Sequence, residues 1–213
     1  MKNIKIPYSW SVYLIWSLHL VGFVAMQYPL TRSFFEALTP LNLLICSFFA
    51  IYFHEQKTRN FWIWVAICYF FGYFYELLGV KTGLIFGKYA YLDNLGIKIF
   101  DIPLIIGLNW FLLAACIAVL FHTFKIPNLL KIIFSALAMT LTDILIEPVA
   151  VEHDWWHWFN MPVPFQNYVA WFVGAFFLMT CFFLIPFPKK NTIGLHLWFA
   201  QILFFTLHWI FVF

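Results

Sequence analysis

Residues 102–121 read IPLIIGLNWFLLAACIAVLF, twenty positions without one charged side chain. A helix that crosses a bilayer needs about 20 predominantly apolar residues. This stretch therefore predicts a transmembrane helix. Working outward from it, six more apolar runs of similar kind follow: residues 8–26, 38–53, 61–78, 129–147, 167–185 and 193–212, the second being the shortest. Charge and proline concentrate in the connections between them. The expected fold is all-α, a polytopic membrane helical bundle of about seven transmembrane helices, with residues 1–213 forming a single transmembrane domain.

Composition leads to the same class. Apolar residues make up 64% of the chain and charged residues 10%, against about 45–50% and about 25% in soluble domains. A soluble fold could not hide that much apolar surface from water, whereas in lipid the solvent is as apolar as the side chains. The net charge of +3 gives no basic face of the kind that binds nucleic acid. Cys46, Cys68, Cys116 and Cys181 each sit in an apolar run and form no CxxC pair, so they read as small buried hydrophobes. Lys2 and Lys5 precede an apolar run as in a signal peptide. That run is long and lacks a small-residue cleavage site, so a retained first helix is expected.

Orientation follows from the positive-inside rule. Lys2, Lys5, Lys57, Arg59, Lys125, Lys131, Lys189 and Lys190 fall on the N-terminal side, and Arg32, Lys81, Lys88 and Lys98 on the other. That split places the N-terminus in the cytoplasm and the C-terminus outside. The two longest connections are aromatic. Residues 79–101 are rich in Gly and Tyr and too apolar for disorder, so they should fold back on the bundle. Residues 148–166 carry Trp155, Trp156 and Trp158. An interfacial aromatic belt is the simplest reading of those tryptophans.

Three acids lie inside apolar runs: Glu76, Asp143 and Glu147. An intramembrane charge costs at least about 2.5–3.5 kcal/mol, so such residues point to function. Asp143 and Glu147 are spaced i, i+4 and share one helix face. Glu76 closes a run of the same direction, so all three should lie at similar depth toward the outer side. Two like charges this close in low dielectric cannot both be ionised cheaply, which leaves a protonated acid beside a carboxylate. Bonding between neighbouring helices is the plainer alternative. Pro148 directly follows Glu147 and predicts a helix end there. Pro103 and Trp110 recur as Pro164 and Trp171 at the same seven-residue spacing, each after a run ending in a carboxylate. Runs three–four and five–six would then be parallel copies, as in some transporters. His153 and His157 are four apart, but the seven histidines are too scattered for a di-iron centre. They read as interfacial or hydrogen-bonding groups.

ELLGVKTGLIFGKYAY (76–91), DIP (101–103), DILIEPVA (143–150) and VPFQNYVAW (163–171) resemble the carotenoid biosynthesis protein family, whose best-known members are carotenoid hydratases. The resemblance covers about residues 70–175. It implies a multi-span enzyme that adds water across the terminal double bond of an acyclic carotenoid, giving a tertiary alcohol. It implies no redox cofactor and no metal. The implied partners are the lipophilic carotenoid, the bilayer and other carotenoid-pathway enzymes, in a bacterial cytoplasmic membrane. Glu76, Asp143 and Glu147 are the candidate catalytic residues for such acid–base chemistry. Tyr89, Tyr91, Asp101, Trp110, Trp155, Trp158, Asn167 and Trp171, from the segments around them, are candidate substrate-binding residues. Two rivals remain. A membrane carotenoid or lycopene cyclase starts with the same protonation. A small proton-coupled transporter or lipid-binding membrane protein would use the same acids.

Overall fold

The computed structural model describes residues 6–212. Lys2 and Lys5, two of the cytoplasmic-side lysines, lie outside the described residues. Helices dominate: α1 (Tyr8–Met26), α2 (Pro29–Ala37), α3 (Thr39–Tyr52), α4 (Arg59–Thr82), α5 (Ile105–His122), α6 (Asn128–Glu152), α7 (Phe165–Leu184) and α8 (Gly194–Phe211). Six of them are long and apolar enough to cross a membrane. The chain is thus a multi-pass helical membrane protein. The shortest predicted span corresponds to α3, and the connection before it is itself helical, with α2 and α3 forming a bent pair at an angle of 49°. Pro29 and Pro40 each occupy a first turn, where a missing N–H costs no hydrogen bond.

Despite its length, α3 runs between the two ends of the bundle. At its start, Pro40 packs beside Gly96. At its finish, the Tyr52 hydroxyl accepts from the Ile6 backbone N–H at 3.0 Å, and the Glu55 N–H reaches the Lys190 carbonyl at 3.0 Å. The chain therefore passes seven times from end to end when the bent pair counts once. The most deeply packed helix is α5, with Trp110 through Val119 all buried. The stretch that decided the fold is thus the core of the bundle.

Helix limits follow local chemistry. Thr58 caps α4 by accepting from the Phe61 N–H at 3.3 Å, and Gly83 ends it with φ +65°, a conformation natural to glycine. Glu147 is not at a helix end as Pro148 suggested. Helix α6 continues to Glu152 with Pro148 inside it. Proline removes its own donor and crowds the carbonyl four residues back, yet the following turns close, with the His153 N–H on the Val149 carbonyl at 3.0 Å and the Trp155 N–H on Ala150 at 2.9 Å.

The two aromatic connections meet. From the first comes β1 (Tyr89–Tyr91), followed by a 3₁₀ turn at Asp93–Leu95 and a small hairpin of β2 (Lys98–Ile99) and β3 (Ile102–Pro103). From the second comes β4 (Trp156–Trp158), which pairs antiparallel with β1 so that Tyr89 faces Trp158 and Tyr91 faces Trp156. This two-stranded ribbon closes one end of the bundle.

Candidate active site

Side chains alternate faces along a strand, and both strands of the ribbon use this in the same way. Tyr89 and Tyr91 turn to one face and both donate their hydroxyls to Glu76 Oε2, Tyr91 at 2.9 Å. Burial, with the Glu76 charge beside them, pushes both phenols well above their ordinary pKa, so they remain donors. From α5, Trp110 Nε1 donates to the other oxygen, Glu76 Oε1, at 2.9 Å. On the facing strand, Trp156 Nε1 and Trp158 Nε1 both donate to Glu147 Oε2, at 3.1 and 2.8 Å.

Asn167, in the first turn of α7, joins the two acids of α6. Its Nδ2 donates to Asp143 Oδ2 at 3.0 Å and to Glu147 Oε1 at 3.2 Å. Such an amide group has two hydrogens, enough for both. All three acids are buried, Asp143 completely, Glu147 to within 3% and Glu76 to within 4% exposure. The aromatic rings link the two halves: Tyr89 and Trp158 lie 5.0 Å apart, Tyr91 and Trp156 5.9 Å, and Trp110 stacks on Trp171 at 4.2 Å.

The donor count separates the acids. Glu76 and Glu147 each accept three N–H or O–H donors, and those on Glu147 are all N–H groups that can only donate. That is the complement a carboxylate needs. Asp143 accepts one donor, and its Oδ1 has no partner. In the resting site a proton is therefore best placed on Asp143, at the unpartnered Oδ1.

Ten of the eleven residues singled out from the sequence lie in or against this cage. Asp101 does not. It sits at the surface with φ +70° and pairs with Lys81 at 2.6 Å. Trp155 is buried, but its Nε1 meets no acceptor and its ring lines a neighbouring cavity. Trp156 is the residue that sequence reading passed over. Its alternation with Trp158 on a strand was the available signal. Among the described residues, no three His, Cys, Asp or Glu side chains converge to hold a metal ion.

Glu147 also lines an open cleft of about 350 Å³, shared with Pro148, Val151, Met161, Tyr168 and Trp209. A buried acid on the wall of a mainly apolar cleft, which Glu152 also lines, in a helical membrane bundle, is a geometry suited to a lipophilic molecule. The model of the carotenoid biosynthesis protein family matches residues 15–213, and the chain belongs to that family. Bisanhydrobacterioruberin hydratase of Haloarcula japonica is 28% identical over 119 residues, covering 49% of this chain and 39% of that protein. The chain therefore matches well under half the length of this relative. No solved structure matches it.

Proposed function

We propose that this protein hydrates the terminal double bond of an acyclic carotenoid end group, giving a tertiary alcohol by acid catalysis. The observation that carries this reading is the unequal donor supply of the paired acids, three donors on Glu147 and one on Asp143. It provides a protonated acid and a fixed carboxylate side by side. Family membership supplies the substrate class, and the hydratase relative supports the reaction type.

In this mechanism the end group enters from the bilayer by the cleft beside Glu147, and the site opens to bring it to Asp143, which is fully buried at rest. Asp143 gives its proton to the less substituted alkene carbon, and the π pair becomes the new C–H bond. The tertiary cation left behind faces Trp and Tyr rings, whose π faces attract positive charge. Water adds through oxygen, and Glu147 takes the proton that the water loses. Return of that proton to Asp143, one turn away on the same helix face, restores the starting state. The sum is alkene plus water to alcohol. Glu76, anchored by three donors, holds a fixed negative charge that favours the cation. We assign the site to the cytoplasmic membrane with the N-terminus inside, on the lysine and arginine split.

The test is co-expression in a lycopene-producing bacterium, with the pigments weighed. A gain of one or two waters, with oxygen drawn from isotopically labelled water, is expected. An isomer of unchanged mass would identify a cyclase and refute hydration. Unchanged pigment, with the protein present in the membrane, would favour a transport or binding role.

A further inference from the structure

A second cavity, of about 150 Å³, lies beside the cage between α1, α3, α5 and α8. Its walls are mainly apolar, with Leu18, Ile106, Phe204 and Phe205 among them. Three of its lining residues nevertheless carry buried polar atoms without a partner: Thr39 Oγ1, Trp155 Nε1 and Gln201 Nε2. Trp155 and Gln201 are each 6% exposed. An indole N–H and an amide N–H₂ can only donate, and a buried donor left unpaired is costly. The cavity therefore calls for an occupant that is apolar in bulk and offers an acceptor oxygen.

The route in points to the same ligand. Leu41 lines the cavity and is 50% exposed on the outer face of α3, a face that lies against lipid in a membrane bundle. The inner wall includes Trp156, whose Nε1 is bonded to Glu147. One indole thus borders both this cavity and the acid cage. A cavity of this size takes one small branched group, with the remaining chain left in the bilayer.

We propose that this cavity binds the oxygen-bearing end of an isoprenoid, with Gln201 and Trp155 donating to its hydroxyl. The need for an acceptor oxygen stands on the unpaired donors alone. The choice of an isoprenoid as the apolar part rests on the function proposed above.

The test is a titration of the purified full chain in detergent, read by tryptophan fluorescence and by the thermal unfolding midpoint. The probes are a linear tertiary isoprenoid alcohol and the hydrocarbon of the same skeleton. The alcohol should bind the wild-type chain roughly tenfold more tightly than the hydrocarbon, the scale of one recovered hydrogen bond. Gln201→Leu should reduce that preference, and Gln201→Leu combined with Trp155→Phe should erase it. Gly22→Leu should weaken both ligands, because a Cβ at Gly22 meets only Phe204, at 3.8 Å, and the longer side chain grows into the cavity. Circular dichroism confirms each fold, and either variant alone decides the matter if the other does not fold. Equal binding of the two probes, a preference that survives the double variant, or binding of neither overturns the proposal, the last meaning that water alone satisfies the donors. Repeating the titration on Asp143→Asn separates the two claims. Binding there should persist even though turnover is gone, and a chain that binds the alcohol yet never hydrates would refute only the reaction.

Discussion

Trp110 and Trp171 lie face to face, ring centroids 4.2 Å apart and planes within 10°. They are the two tryptophans that stand seven residues after a proline in the faint sequence repeat. The stack joins α5 to α7, and through Trp110 Nε1 it reaches Glu76. Trp110→Phe keeps an aromatic ring but strips Glu76 Oε1 of its donor. It should cost about 1–3 kcal/mol, read as a lower thermal midpoint in detergent. Gly72→Ala should cost a similar amount, about 1–3 kcal/mol by overpacking, because its Cβ would lie 2.5 Å from Trp110 Cβ. Wild-type midpoints in both variants would mean that the stack is dispensable.

The two acids of α6 should respond differently to amide replacement. Asn at 143 can keep an oxygen toward Asn167 and put its nitrogen where Oδ1 now lacks a partner. Asp143→Asn should therefore accumulate with near-normal stability and lose hydration by about 10²–10⁴-fold. Gln at 147 must turn an N–H₂ toward Asn167 or toward the two indoles, placing donor against donor. Glu147→Gln should lose both activity and about 1–3 kcal/mol of stability. Near-normal turnover in Asp143→Asn at normal expression would remove Asp143 as the acid.

Acid should weaken the fold through His54. Its ring stacks on Phe61 with centroids 4.0 Å apart. Burial there lowers its pKa from 6.5 to about 4, opposed by a bond to the Pro188 backbone and reinforced by Lys57 and Lys189. The unfolded chain then takes up a proton at a higher pH than the folded one. Stability is unaffected well above pH 6.5 and falls as pH drops from 6.5 toward about 4. The loss should reach about 1–2 kcal/mol after allowance for solvent relaxation. His54→Phe should make the fall of the thermal midpoint across that window shallower, with His153, whose pKa burial also lowers, still contributing; an unchanged slope would acquit His54.

Passage count can be read directly. Seven passes with the N-terminus inside put a reporter fused after residue 213 on the outer side. A cytoplasmic signal there would mean that the bent α2–α3 pair does not cross, or that the orientation is reversed.

The sequence revealed the cage's acids more readily than the groups that hold them. Glu76, Asp143 and Glu147 stood out because charges are expensive in apolar runs, and helical spacing already set Asp143 beside Glu147. Tyr89 and Trp158 could be suspected of meeting, since both follow acid-bearing runs of the same direction. Their register could not be foreseen, because strand pairing across nearly seventy residues leaves no local periodicity. Trp156 was missed for that reason. Asp101 misled because a carboxylate beside Pro103 looks much the same in sequence whether it points inward or, as here, to Lys81. The second cavity was illegible, since it depends on how α1, α3, α5 and α8 lean together.

The ribbon of β1 and β4 also acts as a single latch. Parting its strands would pull the tyrosines from Glu76 and the tryptophans from Glu147 in one motion, uncovering two buried acids at once. That end of the bundle is therefore an unsuitable doorway for a greasy guest. On the function proposed above, traffic would pass sideways between helices, and the width of those lateral gaps, more than the acids themselves, would decide which molecules are admitted.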